Sequence, residues 1–170
     1  MLALAVAFVL YWFQPQAIFI DDRVDEAIPT PASSQPLPAD EDAAPAAAPP
    51  AVTAEPIALT SGAFTSLDHD TTGVVRVLQL ADGTRVVRLE GLDTSNGPDL
   101  YLYLSTNPAE GDPGAFDDDY LDLGRLKGNQ GNQNYDLPPD VDLSHFASVV
   151  IWCDRFDSAF GAADLTGTDP

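Results

Sequence analysis

The feature that most constrains the fold is a series of short runs rich in β-branched residues, separated by Gly, Asp, Asn and Pro, that begins near Ser61. The clearest pair covers 73–80 and 85–90, and the connection between them contains Asp-Gly. Two β-branched runs joined through Asp-Gly are a strong signal for a β-hairpin. Further strands are predicted at 99–105, 120–126, 133–137, 148–154 and 159–165.

Regular strand spacing with turn residues between the strands predicts an all-β domain. The expected architecture is a β-sandwich or a flattened barrel of about seven to nine short antiparallel strands. Because side chains alternate along a strand, the run after Gly97-Pro98-Asp99 should place its leucines on the core face and its tyrosines on the opposite face. A short helical turn is expected at 143–146, and no helix of ordinary length.

The first part of the chain predicts a membrane tether. Residues 1–20 are uncharged and almost entirely apolar, and about 20 apolar residues in a helix suffice to cross the hydrocarbon layer. We therefore predict an uncleaved N-terminal membrane anchor helix, with the rest of the chain facing the extracytoplasmic or cell-wall side. Residues 21–60 are acidic and rich in Pro and Ala, a composition typical of a disordered linker. An extended linker would hold the domain, 61–165, up to about 90 Å from the membrane.

The charge of the chain excludes one class of partner. Acidic side chains outnumber basic ones 27 to 7, for a formal net charge of -20, which repels the phosphate backbone of nucleic acids. The acidic run 117–119, with Asp112 and Asp122, offers oxygen ligands for Ca²⁺, but its acids follow one another too closely for a known calcium loop. We interpret it as solvated charge and predict no metal site.

Cys153 is the single cysteine of the chain and ends the run 149–153. A lone thiol in an oxidising compartment must be buried and inert, bound to something, or redox-active. Strand alternation aligns Cys153 with Val149 and Ile151, as expected of a small buried hydrophobe.

A reactive Cys153 would need cationic neighbours, and Arg155, His69 and His145 are the candidates. A cysteine with two histidines is the donor set of a blue-copper site. The spacing argues against such a site, because His145 lies in a segment separate from that of Cys153, so the cofactor stays unidentified. His69 could also be an ordinary turn residue and His145 a surface or cap residue.

No nucleophile elbow accompanies the Ser, His and Asp residues, so hydrolase activity is not expected.

The amide-rich segment 128–134, Gly-Asn-Gln-Gly-Asn-Gln-Asn, is predicted to be a loop. Its glycines suit positive φ and its side-chain amides suit local hydrogen bonds to the backbone. Two interpretations stay open: a purely structural loop, or a loop that lines a small polar pocket beside the strand carrying Cys153.

Several motifs occur in an order too particular for generic β sequence. They are the Gly-Pro-Asp-Leu-Tyr-Leu-Tyr-Leu run at 97–104, the Gly- and amide-rich run at 123–138, and the run ending at Cys153. Together with Gly62-Ala63-Phe64, His69 and the closing 160–163, they resemble the DM-thirteen family, also called the electron-transfer DM domain, from about Ser61 to Leu165. The resemblance implies an extracytoplasmic all-β module, often membrane-tethered, with a redox or electron-transfer role around the cysteine.

From these observations we expect an electron-transfer domain in which Cys153 is the redox candidate and His69 its helper. Its partners would be the membrane, through the N-terminal helix, and a redox protein. The alternative is a non-catalytic module that binds a cell-envelope or protein partner through the amide-rich segment and exposed tyrosines, with Cys153 a buried structural residue. In either case a non-enzymatic role is expected.

Overall fold

The computed structural model describes residues 21–29 and 55–167, which form two β-sheets. The eleven strands in this part of the chain are β1 (Arg23–Asp25), β2 (Ile57–Ala63), β3 (Thr65–Ser66), β4 (Thr71–Gln79), β5 (Arg85–Thr94), β6 (Leu100–Ser105), β7 (Tyr120–Arg125), β8 (Gln130–Leu137), β9 (Ser148–Cys153), β10 (Ser158–Asp164) and β11 (Thr166–Gly167). A 3-10 turn at Leu143–His145 precedes β9, where the sequence predicted a short helical turn.

The strands are divided between a six-stranded and a five-stranded sheet. The first has the order β1-β8-β5-β4-β2-β11 and the second the order β3-β10-β9-β6-β7. Neighbouring strands are antiparallel, except that β1 runs parallel to β8. The all-β prediction is confirmed, but the strand count is higher than expected. Four strands were not predicted: β1, β2, β3 and β11. Of these, β1, β3 and β11 have two or three residues each, too short to show an alternating pattern, and lie at sheet edges.

One apolar core fills the space between the two sheets, in a sandwich-like arrangement. The six-stranded sheet contributes Val75, Val77, Val87, Leu89, Leu92, Tyr135 and Leu137; the five-stranded sheet contributes Leu100, Leu102, Leu104, Val149, Ile151, Cys153, Phe160 and Ala163. The leucines of β6 and the alternate residues of β9 point inward, as the sequence predicted. This burial of apolar surface is the main favourable term in folding.

The five-stranded sheet is also covered on its outer face. Val150, Trp152 and Tyr103 form a second buried cluster there with Ala109 and Phe116, which come from the connection between β6 and β7. Because both faces of the sheet are covered, all six residues of β9 are buried.

The predicted hairpin is present as β4 and β5. Its turn is closed by the Leu80 N–H, which donates to the Thr84 carbonyl at 2.8 Å, and Gly83 has a φ of 86°, which glycine adopts without steric cost. Gly73 lies at a bulge between the strands with a φ of 124°. A Cβ there would lie 3.0 Å from the Glu90 carbonyl oxygen, so the close pairing at this point requires glycine.

The predicted strand at 133–137 is present but begins earlier, because β8 starts at Gln130, so the prediction of a loop at 128–134 is wrong from Gln130 onward. The pattern concealed the start of the strand because two inward positions hold Gly131 and Gln133 rather than large apolar residues. Gln133 is fully buried and its amide is satisfied: it donates to the Gly128 carbonyl at 2.6 Å and accepts from the Tyr135 hydroxyl at 2.7 Å. A buried amide with its partners in place costs little.

Two strands lie within the region that the sequence predicted to be linker, 21–60: β1, and the start of β2 at Ile57. Across residues 21–29 and 55–167, no helix has the length and apolar character needed to cross a membrane. The predicted anchor, residues 1–20, and most of the predicted linker lie outside this part of the chain.

Truncating the inter-sheet core should be far more destabilising than truncating the surface. Leu102 is fully buried, and Leu102→Ala should lower the free energy of unfolding by about 2–5 kcal/mol. Ile57 is 62% exposed, and the matched Ile57→Ala should change it by less than about 0.5 kcal/mol. Urea denaturation followed by circular dichroism measures both, and similar losses for the two variants would contradict the placement of the core.

Candidate functional site

Cys153 is the last residue of β9, and its place is set by pairing on both sides. Its Cα is opposite that of Leu100 in β6 and that of Ser158 in β10. The β-branched residues before it favour the extended backbone, and their alternation turns the thiol toward the space between the sheets. The side chain has no exposed surface and belongs to the main core with Ile151 and Leu100.

The surroundings of the thiol keep it protonated. Burial raises the pKa of Cys153, and the nearby Asp99 carboxylate raises it further, whereas backbone N–H groups of Phe156, Arg155 and Asp99 act in the opposite direction. The net result is a pKa above that of a free cysteine, which is already about 8.5. At neutral pH the closed structure therefore holds a thiol, not the thiolate needed for nucleophilic or redox chemistry.

The chain reaches the surface immediately after Cys153. Residues 154–157 form a turn in which the Phe156 N–H donates to the Cys153 carbonyl at 3.2 Å. Phe156 is 46% exposed, and Asp157 has a φ of 53°, a conformation that costs a non-glycine residue some strain. The thiol is thus buried beside an exposed turn rather than at the centre of the domain.

His69 packs against a residue of the core that contains Cys153. Its ring packs on Phe160 with a centroid separation of 3.7 Å, and its backbone N–H donates to the Phe160 carbonyl at 3.3 Å. Phe160 is a member of the core that contains Cys153. No hydrogen bond joins the two candidate residues in the described part of the chain, and what relates them is that the His69 ring packs on a member of the core to which Cys153 belongs.

His145 is positioned at the other end of β9. Its Nε2 lies 3.1 Å from the Asp119 carboxylate, and its ring is edge-on to Phe146. It precedes β9, whereas Cys153 ends it, and a six-residue strand is about 20 Å long. The structure therefore does not bring His145 and Cys153 together.

The two acids beside the run 117–119 make local contacts. Asp112 and Asp122 each accept a hydrogen bond from a backbone N–H two residues on, that of Gly114 and that of Gly124, as Asx turns do. Within residues 21–29 and 55–167, no group of three or more His, Cys, Asp or Glu side chains has the geometry to hold a metal ion.

A small polar cavity of about 170 Å³ lies beside the Cys153 end of the five-stranded sheet. Its lining comprises Asp22, Asn96, Gly97, Leu100, Arg125, Leu126, Lys127, Gly128 and Asn129. Leu100 is the strand partner of Cys153, so the amide-rich segment does line a polar cavity near this strand, as one of the two interpretations predicted. An ion pair between Asp99 and Arg125 lies beside the cavity.

Sequence reasoning missed Asp99 and Phe160 as neighbours of the candidate residues. Both lie within motifs that carry the family resemblance, so the residues themselves were visible. What the sequence could not give is the register that sets Leu100 opposite Cys153, and with it the approach of Asp99.

Comparison with known proteins identifies the family. Residues 63–165 match the family described as Electron transfer DM13. The match covers more than half of the chain, and the chain belongs to this family. No curated protein and no solved structure matches the chain.

The burial and raised pKa of Cys153 predict a slow native thiol. Alkylation by a maleimide at pH 8 should be at least about 100-fold slower in the folded chain than in denaturant. The native rate should also keep increasing with pH beyond about 8.5, where an exposed thiol begins to level off. Stopped-flow or mass-spectrometric kinetics measure both. A native rate within a few-fold of the denatured rate would show that the sulfur is accessible.

Proposed function

We propose that this chain is a membrane-tethered electron-transfer domain on the extracytoplasmic side, with Cys153 as its redox group. Membership of the electron-transfer DM13 family supports a role related to electron transfer. The observation that carries the finer proposal is the position of the chain's one cysteine, inside the matched region and directly before the exposed turn 154–157. The apolar composition of residues 1–20 supports the tether.

A lone cysteine needs a second sulfur from a partner for two-electron chemistry. In the proposed step, local opening of the turn 154–157 exposes the thiol, which loses its proton. The thiolate attacks one sulfur of a partner's disulfide, a new S–S bond forms, and the other partner sulfur leaves with the electron pair and takes up a proton. The Cys153 sulfur is thereby oxidised and one partner sulfur is reduced. The thiolate of an electron donor with two thiols then attacks the Cys153 sulfur, and the partner's remaining sulfur leaves as a thiol. The donor's second thiol displaces Cys153, so two electrons have passed from the donor's thiol pair to the partner's disulfide.

His69 is proposed as a positioning residue for this step. Its ring packs on Phe160, so it supports the core beside Cys153 and becomes a proton acceptor for the thiol only when the turn opens. His145 provides a matched control, because it lies at the opposite end of β9.

One observation favours a second function, a non-catalytic interaction module. The complete burial and raised pKa of Cys153 are typical of a structural cysteine. In this second function a partner contacts the exposed β7 side of the sheet, where Tyr120 stacks on the buried Tyr103 ring at 4.3 Å. The Arg125 guanidinium lies over the Tyr101 ring at 5.1 Å. Tyrosine and arginine are enriched in protein interfaces.

A redox titration separates the two functions. The native chain is equilibrated in glutathione buffers of graded potential, quenched with acid and analysed by mass spectrometry. Electron transfer through Cys153 predicts a reversible mixed disulfide with a defined midpoint, absent in Cys153→Ser. His69→Gln should slow formation of the mixed disulfide several-fold, whereas His145→Gln should leave that rate unchanged. If native Cys153 stays unmodified under conditions that modify the unfolded chain, the interaction module is the correct function.

A further inference from the structure

Residues 21–27, here called the N-terminal strap, occupy the outer edge of β8. The register is parallel, with Arg23 opposite Gln130, Val24 opposite Gly131 and Asp25 opposite Asn132. Backbone bonds extend the pairing at both ends: the Gln130 N–H donates to the Asp22 carbonyl at 3.2 Å, and the Glu26 N–H donates to the Asn132 carbonyl at 2.8 Å. The strap lies outside the region that matches the family.

The start of the strap is recognised by a buried amide. Asn129 is 1% exposed. Its carbonyl oxygen accepts from the Asp22 N–H at 2.7 Å, and its amide donates to the Asp21 carboxylate at 2.9 Å and to the Thr94 carbonyl at 2.8 Å. Without the strap, the Asn129 side chain would lose two of these three partners. Leaving a buried amide without its hydrogen-bond partners costs free energy.

The end of the strap is recognised by charge. Both Glu26 carboxylate oxygens accept from Lys127 Nζ, at 2.8 and 2.9 Å, and one also accepts from the Asn134 N–H at 2.7 Å. The Arg88 guanidinium donates to the Glu26 carbonyl at 3.2 Å, and the Asn134 side chain donates to the Ala27 carbonyl at 2.8 Å. Partial burial acts to raise the pKa of Glu26, but the Lys127 and Asn134 bonds outweigh it and lower the pKa, so the carboxylate is ionised at neutral pH.

The receiving edge is also shaped to admit the strap backbone. A Cβ on Gly128 would overlap the Asp22 carbonyl oxygen, and a Cβ on Gly131 would overlap the Val24 carbonyl oxygen. The amide-rich segment and the preceding Lys127 thus provide a strand edge, two glycines that leave room for the strap backbone, a buried amide and a cation, all directed at one acidic extended segment.

We propose that the β8 edge is a strand-receiving site that a second copy of this chain can fill, with the second copy's residues 21–27 taking the place of the first copy's own strap. The recognising contacts involve only the strap and the domain. Residues 28–56 connect the two and can reach up to about 100 Å, so the connection allows docking to a neighbour as well as to the same chain. Exchange of an identical element needs no new interface, and an uncovered β8 would be an open edge prone to such pairing.

Two variants of the full chain test the exchange by complementation. Gly128→Ala closes the receiving edge but leaves the strap intact, and φ at this position is not in the left-handed region, so alanine brings no backbone strain. Glu26→Lys sets a cation against Lys127 and Arg88 but leaves the receiving edge intact. In the mixture, the Gly128→Ala chain supplies an undocked, intact strap and the Glu26→Lys chain supplies an unoccupied, intact edge. Neither variant alone contains both.

Mixing fluorescently labelled Gly128→Ala and Glu26→Lys chains in detergent should raise energy transfer between copies at least about tenfold over either variant alone. Gly114→Ala is the matched control, because a Cβ there meets only one atom within 4 Å, at 3.7 Å. Its own strap stays docked, so mixing it with Glu26→Lys should give no increase. Circular dichroism establishes that each variant is folded. Folded variants that do not associate would overturn the proposal.

A peptide measurement keeps the test decisive if Glu26→Lys fails to fold. Asp22→Pro then serves as the receiving chain, because proline has no N–H to donate to the Asn129 side chain. The chain's own strap is then held less well, and its receiving edge is left free. A labelled peptide of residues 21–29 should bind the Asp22→Pro chain by fluorescence anisotropy, and adding Gly128→Ala to that chain should weaken binding at least about tenfold. Equal binding with and without Gly128→Ala would show that the peptide does not occupy the β8 edge. These outcomes do not depend on Cys153, so the proposed redox function can fail while this one stands, and the reverse.

Discussion

Burial of β9 on both faces is the constraint on which the rest of the domain depends. Its inward residues Val149, Ile151 and Cys153 join the core between the sheets, while Val150 and Trp152 pack outward under Phe116. The strand is paired with β6 on one side and β10 on the other, which leaves it no free edge. The middle of β9 cannot move without disrupting two apolar clusters and two ladders, so local opening is confined to its ends.

That constraint determines what chemistry the thiol can perform. The closed core holds Cys153 neutral and inaccessible, whereas the family to which the chain belongs is described by electron transfer. The two facts are compatible if the reactive state is an open one, because Cys153 ends its strand and the following turn is exposed. A thiol protected in the resting state and available only on opening would avoid random oxidation.

The sequence predicted those parts of the fold that depend on local pattern. The hairpin of β4 and β5, the leucine face of β6 and the inward alignment of Cys153 with Ile151 all follow from alternation and turn residues, and the structure confirms them. Two kinds of feature could not be predicted. The first part of β8 was taken for a loop because Gly131 and Gln133 occupy inward positions usually held by large apolar residues. β1 was taken for linker because its pairing is decided by hydrogen bonds to distant residues, such as those of Asn129 and Lys127. The packing of His69 on Phe160 likewise depends on tertiary register.

The parallel direction of the strap has a consequence for how the whole molecule is oriented. Asp22 and Leu100 line the same polar cavity, and Leu100 is paired with Cys153. The chain therefore enters the folded domain at the end of the sandwich that contains the Cys153 sulfur. If residues 1–20 cross a bilayer, a docked strap would turn the Cys153 end of the sandwich toward the lipid headgroups and the His145 end away from them. An electron donor held in the membrane would then approach the cysteine directly, without traversing the length of the sandwich.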